Sequence, residues 1–176
     1  MATDFTDDRL GDALRYLSDD ALWQRIEQTL GQRIIRVYDL DKAQPVRLDA
    51  TVGEVNHHEK KHTLFRLGRN KEGSFEVQFK LMLGTLDPLG LPLASDVVAG
   101  SAGDDPLYVP VYRRIRETLD KTGLLYIGDC KMGAIETRAV IAHGGDLYLM
   151  PLPRTGGIPD LCLLYTSDAA DDQGRV

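Results

Sequence analysis

The sequence predicts a mixed α/β domain, and three stretches carry that expectation. Residues 75–98 read as a β-hairpin, residues 105–119 as an amphipathic helix, and residues 124–127 as a short strand apolar on both faces. A further helix over 135–143 and a strand over 146–152 follow. Hairpin, helix, buried strand, helix, strand in that order indicates one mixed sheet with helices against it. At 176 residues the chain has room for one domain with an appendage.

Taken from the start, residues 7–30 read as two short helices. Leu10, Ala13, Leu14 and Leu17 fall at helical spacing, then Leu22, Ile26 and Leu30 do so. Ser18 or Asp19 suits the cap of the second helix, and Gly31 suits its stop. Ile34-Ile35-Arg36-Val37-Tyr38-Asp39-Leu40 is rich in β-branched residues and reads as a first strand. In the next strand Val46, Leu48 and Ala50 alternate with Arg47, Asp49 and Thr51. One face is therefore apolar and the other carries a carboxylate. Aspartate is depleted inside strands, so Asp49 needs a reason: a salt bridge, a metal or a bulge.

Residues 56–62 hold His57, His58 and His62 among Glu59, Lys60 and Lys61. The absence of apolar neighbours to fix ligand geometry favours a solvated turn over a metal site. Residues 63–67 suit a short strand. Residues 68–74 form a loop with two glycines but no Gly-Lys-Ser/Thr, so it is no nucleotide P-loop. Phe75, Val77, Phe79, Leu81 and Leu83 alternate, Asp87-Pro88-Leu89-Gly90 turns the chain, and Pro92 marks the returning strand as an edge. Asp105 suits an N-cap with Pro106 at the first helical position, and Leu107, Val111, Ile115 and Leu119 form the apolar stripe. Gly123 suits the stop. The strand 124–127 then ends in Gly128-Asp129, and ligands collect at the carboxyl ends of such buried strands. Asp129 is either a helix cap or half of a site with Asp49.

Composition narrows the function classes. A net charge of −6 argues against a simple basic nucleic-acid sleeve, though not against a nucleic-acid enzyme with a local basic patch. Cys130 and Cys162 have no zinc-binding spacing. The acidic start is unlike a signal or transit peptide, and no run reaches the length of a membrane span. A reduced, cytoplasmic setting without membrane contact is the expectation.

Several stretches in order resemble bacterial insertion-sequence transposases with a DDE triad. They are Arg47-Leu48-Asp49-Ala50-Thr51, then Gly84-Thr85-Leu86-Asp87-Pro88-Leu89-Gly90-Leu91-Pro92-Leu93-Ala94. Asp104-Asp105-Pro106-Leu107-Tyr108 and Leu124-Leu125-Tyr126-Ile127-Gly128-Asp129-Cys130-Lys131-Met132 complete the set. The resemblance covers residues 5–153. It implies an incomplete ribonuclease-H-like mixed sheet with flanking helices, preceded by short N-terminal helices. It implies DNA transposition by strand cleavage and transfer dependent on Mg2+ or Mn2+. Asp49 and Asp129 would be the first two acids and the metal ligands. Lys71 and Lys131 would meet nucleic acid. Transposon-end DNA would be the partner, and the full-length form a homo-oligomer.

The sequence departs from that family in two places. The loop around Asn70-Lys71-Glu72-Gly73 lacks the family's Ser-Lys-Asp wording. The family's third acid, a glutamate on a later helix, has no counterpart before Val176; Glu136 lies too close to Asp129. Residues 1–42 are then a helical lead-in with the first strand, 43–160 a partial transposase domain, and 161–176 a foreign or disordered tail. That tail, from Leu161 to Asp172, resembles a translated sequencing-adapter peptide. The expectation is a fragment inactive alone. A non-catalytic DNA- or partner-binding remnant using Arg113, Arg114 and Arg116 is the alternative. A less favoured reading takes Asp39-Leu40-Asp41 after an apolar strand as the nucleophile motif of a haloacid-dehalogenase-like phosphatase. Ala43 stands there where Thr or Val is expected, and Asp49 is left without a role.

Overall fold

A computed structural model of the chain describes residues 6–56, 63–69 and 73–151. His57, His58, His62, Lys71, Cys162 and the tail 161–176 lie outside the described residues. The fold is a mixed α/β sheet with flanking helices. Two helices lead in: α1 (Asp7–Leu17), capped by Thr6, and α2 (Asp20–Val37), capped by Asp19, whose carboxylate accepts from the Leu22 amide at 2.8 Å. Strands β1 (Val46–Glu54), β2 (Arg66–Arg69), β3 (Phe75–Leu86) and β4 (Leu91–Ala99) follow. Then come α3 (Tyr108–Leu119), β5 (Leu125–Ile127), α4 (Ile135–His143) and β6 (Leu147–Leu149).

The strand order is β2-β3-β1-β5-β6, with β4 also pairing β3. β1, β2 and β4 run antiparallel to β3, whereas β5 runs parallel to both β1 and β6. Parallel neighbours require crossovers, and α4 supplies the one from β5 to β6. Residues Val46, Leu48, Met82 and Leu86 turn one sheet face toward the helices, where Val111, Ile115, Leu119 and Ile141 meet them in one buried core. Gly84 permits the close approach of α3: a Cβ there would stand 2.2 Å from Ile115 Cδ1.

Three expectations need correction. Residues 34–37 are not a strand but the last turn of α2, and Gly31 does not end that helix. Gly31 is buried where a Cβ would meet Thr118 Cγ2 at 3.1 Å, and Ile35 joins the core. Tertiary burial of one helical face overrides the β-branched run. Asp39 therefore follows a helix with a positive φ of 50°, and Asp41 caps its own turn through the Ala43 amide at 2.8 Å. The strand that a phosphatase nucleophile needs is missing there. Finally, α3 starts and stops elsewhere. A 3-10 turn over Asp105–Leu107 leads into it, no side chain caps it, and Asp120 ends it in the left-handed region at φ 47°, before Gly123.

Candidate functional site

β1 and β5 position the two aspartates. Their parallel register pairs Val46 with Tyr126 and Arg47 with Ile127. Continued two residues past its last pair, this register leads to Asp49 on β1 and to Asp129 beyond β5. Gly128 makes room for the buried Met132, whose Sδ would lie 2.7 Å from a Cβ placed there. Asp49 alternates onto the exposed face of β1, opposite Leu83 of β3. Its carboxylate takes part in no hydrogen bond or ion pair among the described residues. Its neighbour Arg47 binds Asp87 instead, at 2.9 Å. A cross-strand salt bridge is thus no explanation for a carboxylate in mid-strand.

Asp129 is held on one side. Its Oδ1 accepts from the Tyr108 hydroxyl at 2.6 Å and from the Lys131 amide at 2.9 Å. The second bond caps the 3-10 turn Cys130–Gly133, so the capping role expected as the alternative is present as well. Tyr108, at the head of α3, is buried. Burial, then the charges of Asp129, Asp104 and Asp49, push its hydroxyl well above the ordinary range, so it stays a donor.

Asp104 joins this group from just before α3. It binds Lys80 of β3 at 2.5 Å and also Lys131. Lys80 continues to the Ala102 carbonyl oxygen at 2.6 Å. Burial acts to raise the Asp104 carboxyl, but the hydrogen bonds from Lys131 and Lys80 outweigh it and hold the group below its ordinary value. Lys131 rises in turn, chiefly through its hydrogen bond from the ammonium to Asp104. Lys131, read from sequence as a nucleic-acid contact, is therefore engaged with an acid beside Asp129. Sequence reading missed both Asp104 and Tyr108 as members of the group. Both lie in one of the stretches that resemble the transposases, four apart at a helix start, but no role was read for either.

The donor type at Asp49 and Asp129 suits a hard divalent cation, which prefers oxygen ligands and keeps several waters. Among the described residues no group of three His, Cys, Asp or Glu side chains is placed to hold a metal ion. The pair would supply two ligands and water the remainder.

Of the three arginines of α3, Arg113 and Arg116 line one depression, and Arg114 and Arg116 are engaged by acids outside that helix. Arg114 binds Glu27 of α2 and donates to the Ser95 carbonyl oxygen at 2.8 Å. Arg116 binds Asp146 at 3.2 Å and lies over the Tyr112 ring. Arg113 remains exposed, beside an open depression of about 680 Å³ also lined by Arg116, Glu117, Asp120 and Lys121. Mixed charge there gives no basic track for a phosphate backbone. Cys130 is a free, exposed thiol. No helix among the described residues is long and apolar enough to cross a membrane.

No family model and no curated protein sequence matches this chain. Among the solved structures similar to it at low identity are the following three. One is a piggyBac transposase synaptic complex with hairpin DNA, with TM-score 0.47 and 9% identity, covering 73% of this chain and 29% of that one. Another is a pre-cleavage Mos1 transpososome, with TM-score 0.40 and 11% identity, covering 77% and 44%. The third is the Mos1 strand transfer complex, with TM-score 0.39 and 14% identity, covering 84% and 48%. The chain thus spans less than half the length of each of these proteins.

Proposed function

We propose that this chain carries the leading part of a DNA transposase catalytic domain, in which Asp49 and Asp129 hold a magnesium or manganese ion. The observation that supports the reading is the parallel β1–β5 register, whose pairs Val46–Tyr126 and Arg47–Ile127 lie on the two segments that carry the family-matched aspartates. The bound ion would supply Lewis-acid stabilisation of a phosphodiester oxygen undergoing displacement. The chain's own residues do the positioning. Asp49 projects from a strand fixed on both edges, by β3 and β5. Asp129 is anchored to the head of α3, and Lys131 brings positive charge to within reach of an approaching phosphate once Asp104 releases it.

Transposon-end DNA is the substrate in this reading, and a homo-oligomer the working form of the whole protein. With two acids of the family's three matched, the reading predicts metal binding by this chain. Strand transfer requires a third carboxylate supplied from elsewhere. The experiment is a calorimetric Mn2+ titration of the chain and of its Asp49→Ala and Asp129→Ala variants. Binding lost in both variants is expected; undiminished binding in either would contradict the reading.

A further inference from the structure

Asp129 has four lone-pair positions on two oxygens, and the structure treats the oxygens differently. Oδ1 receives both the Tyr108 hydroxyl and the Lys131 amide. Oδ2 receives no hydrogen bond among the described residues. The donors themselves are fixed. The Tyr108 ring is fully buried in the core beneath the sheet. The head of its helix is tied to the same 3-10 turn a second time, because Asp104, four residues before Tyr108, binds Lys131, two residues after Asp129. Asp104 also ties that point to β3 through Lys80. The turn bearing Asp129 is therefore clamped to α3 through one side-chain acid and one side-chain hydroxyl.

We propose that Tyr108 is the positioning residue for Asp129: with the Lys131 amide it occupies Oδ1, so that the carboxylate meets a divalent cation through Oδ2 alone. This rests on the reading of Asp129 as a metal ligand. A carboxylate bound through one oxygen suits the compact octahedral shell of magnesium or manganese. Calcium, with longer bonds and more ligands, readily takes a carboxylate through both oxygens. Groups that orient a ligand from behind typically change metal affinity by about 10–100-fold when removed. Tyr108 would thus set which cation the site prefers, as well as how tightly it binds.

A hydroxyl that merely satisfies a buried donor would leave that preference unchanged, and this separates the two roles. The test uses the isotope-labelled full chain and its Tyr108→Phe variant, which keeps the buried ring. Three-bond couplings about χ1 of Asp129 report its rotamer without any metal. A single rotamer is expected in the unaltered chain and averaging over several in Y108F. A slowly exchanging Tyr108 hydroxyl proton in the unaltered chain is expected as an independent sign of the bond. Mn2+ affinity should fall about 10-fold or more in Y108F, and Ca2+ affinity by a clearly smaller factor. An unchanged single rotamer in Y108F, or equal weakening of both cations, would overturn the assignment. If the unaltered chain bound neither cation, the metal-site reading would fail, whereas the couplings and the hydroxyl proton would still decide whether Tyr108 positions Asp129.

Discussion

Strand β5 carries an aspartate beyond each end, and the two are treated in opposite ways. Asp146 stands near its start, on the turn into β6, and is 4% exposed. Its Oδ1 accepts from the Leu124 amide at 3.0 Å, and its Oδ2 accepts from the Tyr112 hydroxyl at 2.8 Å and lies 3.2 Å from Arg116. Burial and the bond to Asp146 push the Tyr112 hydroxyl up to about 12, which keeps it a donor there. Asp129 stands beyond the other end with one oxygen satisfied and one open, next to Asp49 with none satisfied among the described residues. A buried charge with a partner on each of its oxygens ties a fold together. A half-satisfied carboxylate beside a bare one is a poor brace and a good ligand. The comparison separates a structural acid from candidate functional ones without reference to any relative.

Substitution should grade along that contrast. Asp146→Ala should cost the most, about 3–5 kcal/mol, because it leaves the buried Leu124 amide and Tyr112 hydroxyl without an acceptor and takes the acid from Arg116; denaturant unfolding measures it. Asp129→Ala should cost about 1–2 kcal/mol, from the Tyr108 hydroxyl left without an acceptor and the lost cap. Asp49→Ala should fall within about 0.5 kcal/mol of the unaltered chain, as for an exposed side chain with no partner. A large loss at Asp49, or a small one at Asp146, would break the comparison.

Asp104 lies between the two types. Its folded-state value is depressed by Lys131 and Lys80, so its contribution is fully present above the ordinary value of 3.8 and is lost as pH falls below it. The Asp104→Asn variant should therefore be less stable than the parent at neutral pH, with the difference shrinking as pH drops below about 4. Added salt should shrink it too, because the group is partly exposed. Thermal melts across pH and ionic strength would sharpen the placement of Asp104.

Much of the sheet was legible in the sequence. The turn at Asp87-Pro88, the stripe of α3 and the apolar run before Asp129 each express a local pattern that tertiary structure left intact. The alternation over residues 75–86 marked a strand but the wrong face of it: Gln78, Met82 and Leu86 are buried, whereas Phe75 is exposed. The tail of α2 was not legible, because Ile34-Ile35-Arg36-Val37 favours a strand locally and is held helical by contacts with α3 and β4 far along the chain. Asp49 and Asp129 could be picked out because a carboxylate is out of place in or just after an apolar strand. Tyr108 and Asp104 could not, since a tyrosine and an aspartate at a helix start are ordinary. Only the fold brings them to Asp129. The roles of Arg114 and Arg116 were hidden for the same reason: their acids, Glu27 and Asp146, lie on other elements.

The central claim is that Asp49 and Asp129 form one cation site. Mn2+ added in small amount to the labelled full chain should broaden the amide signals of β1 around Asp49 together with those of residues 128–131. The Asp129→Ala variant should abolish both sets at once. Broadening absent from these positions, or centred on another acidic region such as Asp7 and Asp8 of α1, would contradict it.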